Sequence, residues 1–355
     1  MNARWLGWLA VAWIVANAPR SAHAEARKPA PAEPANPAKA AKPTKPTKPD
    51  KLTEAKPAKL SKADAELLAL TNDPLLGKAD RIHGEETKGL VTFTFDDGPN
   101  PETTPAVIDA LVKYDVPATF FVVTRRLVGK QGEASRALLK RELASGFVVA
   151  SHSVSHPSLR GASPKKLASE IDQSIRTLAS EAERTIGLFR APFGAIDAQG
   201  RAWLKKRGLT EAFWSIDTLD WQAKRPDRLR KKVLSMILAQ DGGVVLMHDV
   251  KPITAEVIAG ILDDLEAENC KRLGANRPPI LPVSIHYFLR DNRKPRAIPE
   301  TIRKRTEGYR LALPVRCATR PAPEPDPSEV WTSLLYMLWL APTPAPATPA
   351  PAPRP

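Results

Sequence analysis

Between residues 88 and 287, short β-rich runs alternate with helical patterns about seven times, a succession that points to a parallel α/β architecture. The first run, Val91-Thr92-Phe93-Thr94-Phe95, alternates apolar and polar residues with the period of a strand that buries one face. It ends at Asp96-Asp97-Gly98-Pro99, a turn that leaves two adjacent carboxylates at the C-terminal end of the strand. Further β-rich runs fall at 118–123, 147–150, 187–190, 213–216, 243–247 and 280–285. Helical patterns at 103–114, 135–145, 163–180, 197–207, 226–240 and 253–268 lie between them. Pro105 marks the start of the first of these, Ser163-Pro164 caps the third, and Gly146 and Gly208 close two others.

The flanks have a different texture. A formal charge of +14 makes nucleic acid the first partner to consider, but no nucleic-acid fingerprint is present and the N-terminus argues for export. Arg4, the apolar run Trp5 to Ala18 and Ala22-His23-Ala24 read as a cleaved leader over 1–24, the alternative being an uncleaved membrane anchor. The protein is therefore expected to be exported, either periplasmic or secreted. Residues 25–60, rich in Ala, Pro and Lys, are expected to form a disordered linker with polyproline II character. Lys39, Lys42, Lys45, Lys48 and Lys51 recur every third residue, so they would line one face of that extended segment and attract anionic cell-envelope polymers.

A short helical segment is expected within 61–87, the main domain over 88–290, and a basic, irregular extension over 291–329. Trp331, Leu334, Leu335 and Leu338 share one face of a short apolar helix over 330–341, which either packs on the domain or lies on a membrane surface as a peripheral contact. Residues 342–355 form a Pro/Ala tail expected to be disordered. Cys270 and Cys317 are the two cysteines of the chain. In an exported protein they suggest a disulfide joining the extension to the last long helix, with two buried thiols as the alternative.

Polar constellations follow the strands. Asp96-Asp97 follows the first, Ser151-His152-Ser153-Val154-Ser155-His156-Pro157 the third and Arg190-Ala191-Pro192-Phe193-Gly194 the fourth. Asp217-Thr218-Leu219-Asp220-Trp221 follows the fifth and His248-Asp249 the sixth. Parallel barrels gather their C-terminal strand ends on one face, where active sites are built. His152 and His156 are four apart, as on one side of a helical turn. With the Asp97 carboxylate they make a two-histidine, one-carboxylate set for one divalent metal ion, zinc first and cobalt, manganese or iron as alternatives.

These motifs, Thr-Phe-Asp-Asp-Gly-Pro, His-Ser-x-x-His-Pro, Arg-x-Pro-Phe-Gly, Asp-x-x-Asp-Trp and Leu-Met-His, resemble in order those of the polysaccharide deacetylase family, the NodB-homology or carbohydrate esterase family 4 group. The resemblance covers residues 88–287 and implies a distorted (β/α) barrel of about seven parallel strands. It implies metal-dependent removal of acetyl groups from N-acetylated polysaccharide, or from O-acetylated xylan in some members. Position by position, it implies metal ligands at Asp97, His152 and His156 and a general base at Asp96 held by Arg190. It also implies a general acid at His248 with Asp220 as partner, Asp217 being the alternative. Phe193 stands where the family often has tyrosine; its backbone N–H would face the oxyanion, and Trp214 and Leu246 would wall the acetyl methyl.

The chemistry is coherent, because an amide needs an activated water, a stabilised oxyanion and a proton for its leaving amine. The expected substrate is peptidoglycan N-acetylglucosamine. Chitooligosaccharide, O-acetyl xylan, and a non-catalytic envelope glycan-binding protein are the rival readings.

Overall fold

The computed structural model describes residues 61–85, 87–130 and 132–320; the leader, the lysine-rich linker, the apolar segment at 330–341 and the tail lie outside them. Its centre is a half-barrel of parallel strands: β1 (Leu90–Asp96), β2 (Ala118–Val122), β3 (Val148–Ser151), β4 (Leu188–Phe189), β5 (Thr210–Glu211), β6 (Ile216–Asp217) and β7 (Gly242–His248), in the order β5-β4-β3-β2-β1-β7-β6. β8 (Leu281–Pro282) pairs with Leu90 and Val91, the part of β1 that β2 does not reach.

Nine helices are described: α1 (Lys62–Thr71), α2 (Thr104–Lys113), α3 (Gly132–Ala144), α4 (Pro164–Leu167), α5 (Gln173–Ala182), α6 (Ala198–Lys206), α7 (Pro226–Gln240), α8 (Pro252–Gly274) and α9 (Glu300–Thr319).

Strand β1 is buried on both faces, not on one. Val91, Phe93 and Phe95 pack into the layer formed by α2, α7 and α8, alongside Ile108, Val233 and Ile258. The alternate residues Thr92, Thr94 and Asp96 are equally inaccessible, which is how a parallel sheet covered on both sides behaves. Polar alternation here marks the side of the half-barrel that carries chemistry rather than a solvent face. Thr94 Oγ1 donates to the Val245 carbonyl at 2.6 Å and accepts from Arg190 at 2.8 Å.

Three local expectations change. The run expected at 213–216 becomes two short strands, β5 and β6, separated by residues 212–215. Phe213 N–H is bonded to Ile82 O, whereas Ser215 N–H is bonded to Val244 O, so the chain leaves the β4 side and joins β7 within a few residues. Phe213 stacks on Trp214 at 4.1 Å, and the Arg81 guanidinium lies over the Phe213 ring at 4.4 Å, fixing that seam. The last strand is shorter than expected: Pro282 has no N–H to donate, and the chain turns into a 3-10 segment at Ile285–Phe288.

The described part of the basic extension, 291–320, is not irregular, since most of it is α9. Its buried stripe is narrow, Tyr309 and Leu313, and it carries Pro314 internally, so its sequence offers little helical amphipathicity to detect. Arg316 covers the Tyr309 ring and reaches Glu266 of α8 at 3.2 Å.

Cys317 of α9 is bonded to Cys270 of α8 across a sequence separation of 47. A closed loop of that length predicts that Cys270→Ser, or Cys317→Ser, lowers unfolding free energy by about 4 kcal/mol. Denaturant unfolding of variant and parent under non-reducing conditions measures the difference. Thiol titration of the native, unreduced protein should find no free cysteine; two reactive thiols would refute the pairing.

Candidate active site

Each polar constellation sits at a strand's C-terminal end. The β1–β7 register sets Asp96 directly opposite His248. Asp97 follows in a left-handed turn, at φ 76°. Gly98 comes next, and a Cβ there would collide with the buried Asp249 carboxylate, so a side chain at this position would have to displace it.

His152 and His156 come together by a different route from the helical spacing. Residues 152–157 form a loop in which Ser153 and His156 have positive φ, 71° and 62°. The loop is braced by Glu170, which lies in a π-helical stretch (Ala168–Asp172) between α4 and α5. The Glu170 carboxylate accepts from Val154 N–H (3.2 Å), Ser155 N–H (2.9 Å) and the Ser155 hydroxyl (2.7 Å), and it pairs with Lys166 at 2.9 Å. Glu170 was not singled out from sequence. Its one signal is a charge among the buried positions Leu167, Ile171, Ser174 and Leu178.

One donor atom each from Asp97, His152 and His156 lies within 4.8 Å of the others. Asp97 Oδ1 is 3.1 Å from His156 Nε2 and 3.7 Å from His152 Nε2, yet it is buried and accepts no hydrogen bond among the described residues. His152 Nδ1–H donates to the Arg190 carbonyl at 2.8 Å, which fixes the tautomer and leaves Nε2 with a free lone pair toward Asp97. Burial drives the His152 pKa down to about 3, so the ring is neutral. Two imidazole nitrogens and an orphaned carboxylate oxygen fit one divalent ion.

Beside them, Asp96 forms a buried ion pair with the fully inaccessible Arg190, Nη1 to Oδ1 at 2.8 Å. Arg190 also donates to Thr94 Oγ1 (2.8 Å), Ala212 O (3.3 Å) and Phe213 O (3.2 Å), and its guanidinium lies 3.9 Å above the Phe121 ring. Burial lifts the Asp96 pKa, and Arg190 with His248 only partly opposes it. The second oxygen, Oδ2, stands 3.6 Å from His152 Nε2.

His248 Nδ1–H donates to Asp220 Oδ1 at 2.7 Å, and Asp220 Oδ2 accepts the His248 backbone N–H at 2.7 Å and the Thr254 hydroxyl at 2.5 Å. The carboxylate at His248 is thus Asp220. Asp217 instead accepts Leu219 N–H at 3.0 Å.

Phe193 is 70% exposed, with a left-handed backbone (φ 59°) and its ring edge-on to His156 at 4.5 Å. Trp214 lies below Gly194, and Leu246 shares a face of β7 with His248.

Burial lowers the His248 pKa, but the hydrogen bond and charge of Asp220, with Asp96 and Asp97 beyond, raise it to about 9 overall. The imidazolium should therefore persist at neutral pH and be lost as pH rises through about 9. Asp220→Asn removes the main raising interaction and should shift that titration to lower pH, read from the His248 ring signals by NMR. An unmoved titration would mean that Asp220 does not control this ring.

Residues 83–212 match the family model for polysaccharide deacetylase. The chain is 33% identical over 216 residues to the peptidoglycan-N-acetylglucosamine deacetylase PgdA of Listeria monocytogenes, covering 60% of this chain and 44% of that protein. It is 38% identical over 163 residues to the chitooligosaccharide deacetylase of a Bradyrhizobium species, covering 46% of this chain and 71% of that one. It is 33% identical over 178 residues to the peptidoglycan-N-acetylmuramic acid deacetylase PdaC of Bacillus subtilis, covering 50% of this chain and 36% of the relative. The chain thus spans less than half the length of these two peptidoglycan deacetylases. With the family model and the Bradyrhizobium relative in agreement, the chain belongs to the polysaccharide deacetylase family.

Proposed function

We propose that this protein hydrolyses the N-acetyl group of N-acetylglucosamine in a polysaccharide, with peptidoglycan as substrate. The observation that carries the reading is one strand-end face bearing three convergent ligand atoms, a buried Asp96–Arg190 pair and a His248–Asp220 pair. Asp97, His152 and His156 would hold a divalent ion, zinc by the chemistry of the donors. When bound, the ion supplies Lewis acidity, polarising the amide carbonyl and acidifying water.

In this reading the protein's own groups carry the protons. Asp96, oriented through Oδ1 by Arg190 and lifted in pKa by burial, takes the proton of the attacking water. The new C–O bond forms as charge develops on the former carbonyl oxygen, for which the Phe193 N–H is the candidate donor. His248, held through Nδ1 by Asp220, delivers a proton from Nε2 to the amine nitrogen as the C–N bond breaks. Acetate and a free amine result. Trp214 and Leu246 are the candidates to enclose the methyl group.

The PgdA and PdaC relatives favour peptidoglycan, and the Bradyrhizobium relative favours chitooligosaccharide as the second reading. The leader at 1–24 and the lysine-rich 25–60, both outside the described residues, suit an exported enzyme that engages anionic envelope polymers.

Asp96→Asn and His248→Ala should each lower deacetylation by roughly 100-fold or more while metal content is retained, the usual scale for one acid–base group. Chelation should abolish activity, and added zinc or cobalt should restore it. Metal loss in Asp96→Asn with full activity in His248→Ala would overturn these roles.

Acetate release should be greatest on purified sacculi, with chitooligosaccharides poorer and acetylxylan poorest. Brisk release from chitooligosaccharides with none from sacculi would replace the peptidoglycan reading by the second one.

A further inference from the structure

The end of β2 carries a feature that the deacetylation chemistry does not use. β2 runs into a 3-10 turn, Thr124–Leu127, and on to Lys130. In sheet order β2 lies between β1, whose end bears Asp96 and Asp97, and β3, whose end leads into His152 and His156. The turn is tied to both neighbours. Val123 N–H donates to Gly98 O at 3.1 Å, Thr124 N–H to Ser153 O at 3.1 Å, and Arg125 N–H to Val154 O at 3.0 Å. The backbone of Arg125 is therefore one hydrogen bond away from the loop that holds both histidines.

Arg125, Arg126, Val128 and Lys130 line an open surface depression. The two arginines and the lysine make no salt bridge and no side-chain hydrogen bond with the described residues. Arg126 Nε is buried without a partner, although Arg126 is near enough to Asp249 to oppose the rise in that carboxyl's pKa. With Nε enclosed, the donors that Arg126 can offer to an incoming acceptor are the outer nitrogens of its guanidinium, which the described residues leave without a hydrogen bond.

Other basic cavities hold at least one paired cation, although Arg81 Nε is likewise buried without a hydrogen bond. Around Lys224 to Lys232, Arg225 is paired with Asp227 at 3.2 Å and Lys232 is bonded to Thr218 O at 3.0 Å. Around Arg81, the guanidinium is paired with Glu211 at 3.2 Å.

We propose that Arg125, Arg126 and Lys130 form a carboxylate-binding subsite that selects a glycan carrying a negative charge next to the sugar to be deacetylated. The proposal rests on the deacetylase reading and sharpens its substrate. N-acetylglucosamine itself has no carboxylate, so the anion must sit on the adjoining residue. In peptidoglycan that residue is N-acetylmuramic acid, whose lactyl carboxylate is either free or extended by a peptide with carboxylates of its own. Guanidinium groups suit this task, because their forked N–H donors match both carboxylate oxygens. A chitooligosaccharide offers no such anion.

The test uses the full chain loaded with zinc and the variants Arg125→Ala/Arg126→Ala/Lys130→Ala and Arg125→Gln/Arg126→Gln/Lys130→Gln. The substrates are peptide-free alternating N-acetylglucosamine–N-acetylmuramic acid oligomers, the same oligomers bearing stem peptides, and chitooligosaccharides of equal length. The ratio of kcat/KM for the anionic over the neutral oligomer should fall about tenfold or more in both variants, the scale of one lost charge-assisted contact. The loss should lie in KM, and the parent's preference should weaken as salt is raised. If the fall appears with peptide-free oligomers, the lactyl carboxylate is the group bound; if it appears only with peptide-bearing ones, the peptide supplies it.

Calorimetric binding of the same oligomers provides a readout that does not need turnover. Tighter binding of the anionic oligomer by the parent than by the variants, without acetate release, would support the subsite and reject the deacetylase reading. Equal binding of anionic and neutral oligomers by the parent, or an equal loss on both in the variants, would overturn the subsite.

Discussion

The site depends on one interaction, the buried ion pair between Arg190 and Asp96. A guanidinium with no solvent exposure is tolerable only if its donors are engaged, and here they are shared among Asp96, Thr94 and the carbonyls of Ala212 and Phe213. Those acceptors come from β1 and from the seam where the chain passes from the β4 side of the sheet to β7. Arg190 therefore links the central strand, the fourth strand and the seam. Through its own carbonyl it also sets the tautomer of His152. Loss of Arg190 would leave a buried carboxylate without its cation and a histidine beside displaced backbone.

Two histidines of one site are driven in opposite directions by their surroundings. His152 is desolvated and receives little compensating charge, so it stays neutral and offers a lone pair. His248 is also desolvated, but Asp220 at 2.7 Å reverses the outcome and keeps the ring charged. Separating the proton affinities of like groups by environment allows one fold to hold a ligand and an acid side by side. Asp96 has an intermediate position, as a carboxylate raised by burial while an arginine restrains the rise.

The loops around these groups hold backbone conformations that side chains seldom adopt. Asp97, Ser153, His156, Phe193 and Leu219 all have positive φ, and they are spread over the loops after β1, β3, β4 and β6. Left-handed non-glycine residues persist where the surroundings over-determine them. Glu170 does this for the histidine loop and the Asp249 carboxylate crowds the turn after Asp97. Behind the strands, the large apolar layer of α2, α7 and α8 holds β1 and β7 in register, so Asp96 and His248 stay opposed.

Periodicity and composition were enough to read the alternation of strands and helices, because strand and helix periods are local properties of a chain packed on both sides of a sheet. The motif residues at strand ends were legible for a related reason: parallel strands deliver all their C-termini to one face, so order along the chain predicts neighbourhood in space. The contribution of desolvation to Asp96 was not legible, nor was the bracing by Glu170 or the loop route that brings His152 to His156. Each depends on what lies opposite a residue after folding, and a carboxylate reads the same in sequence whether it meets an imidazole or an amide. The helix α9 was hidden as well, since its apolar stripe is two residues wide and its hold on the domain is a disulfide and ion pairs to α8. Sequence determined the ingredients and their order around the sheet. Tertiary structure decided which groups lost water and which gained a partner, because burial and distance are properties of the packed chain alone.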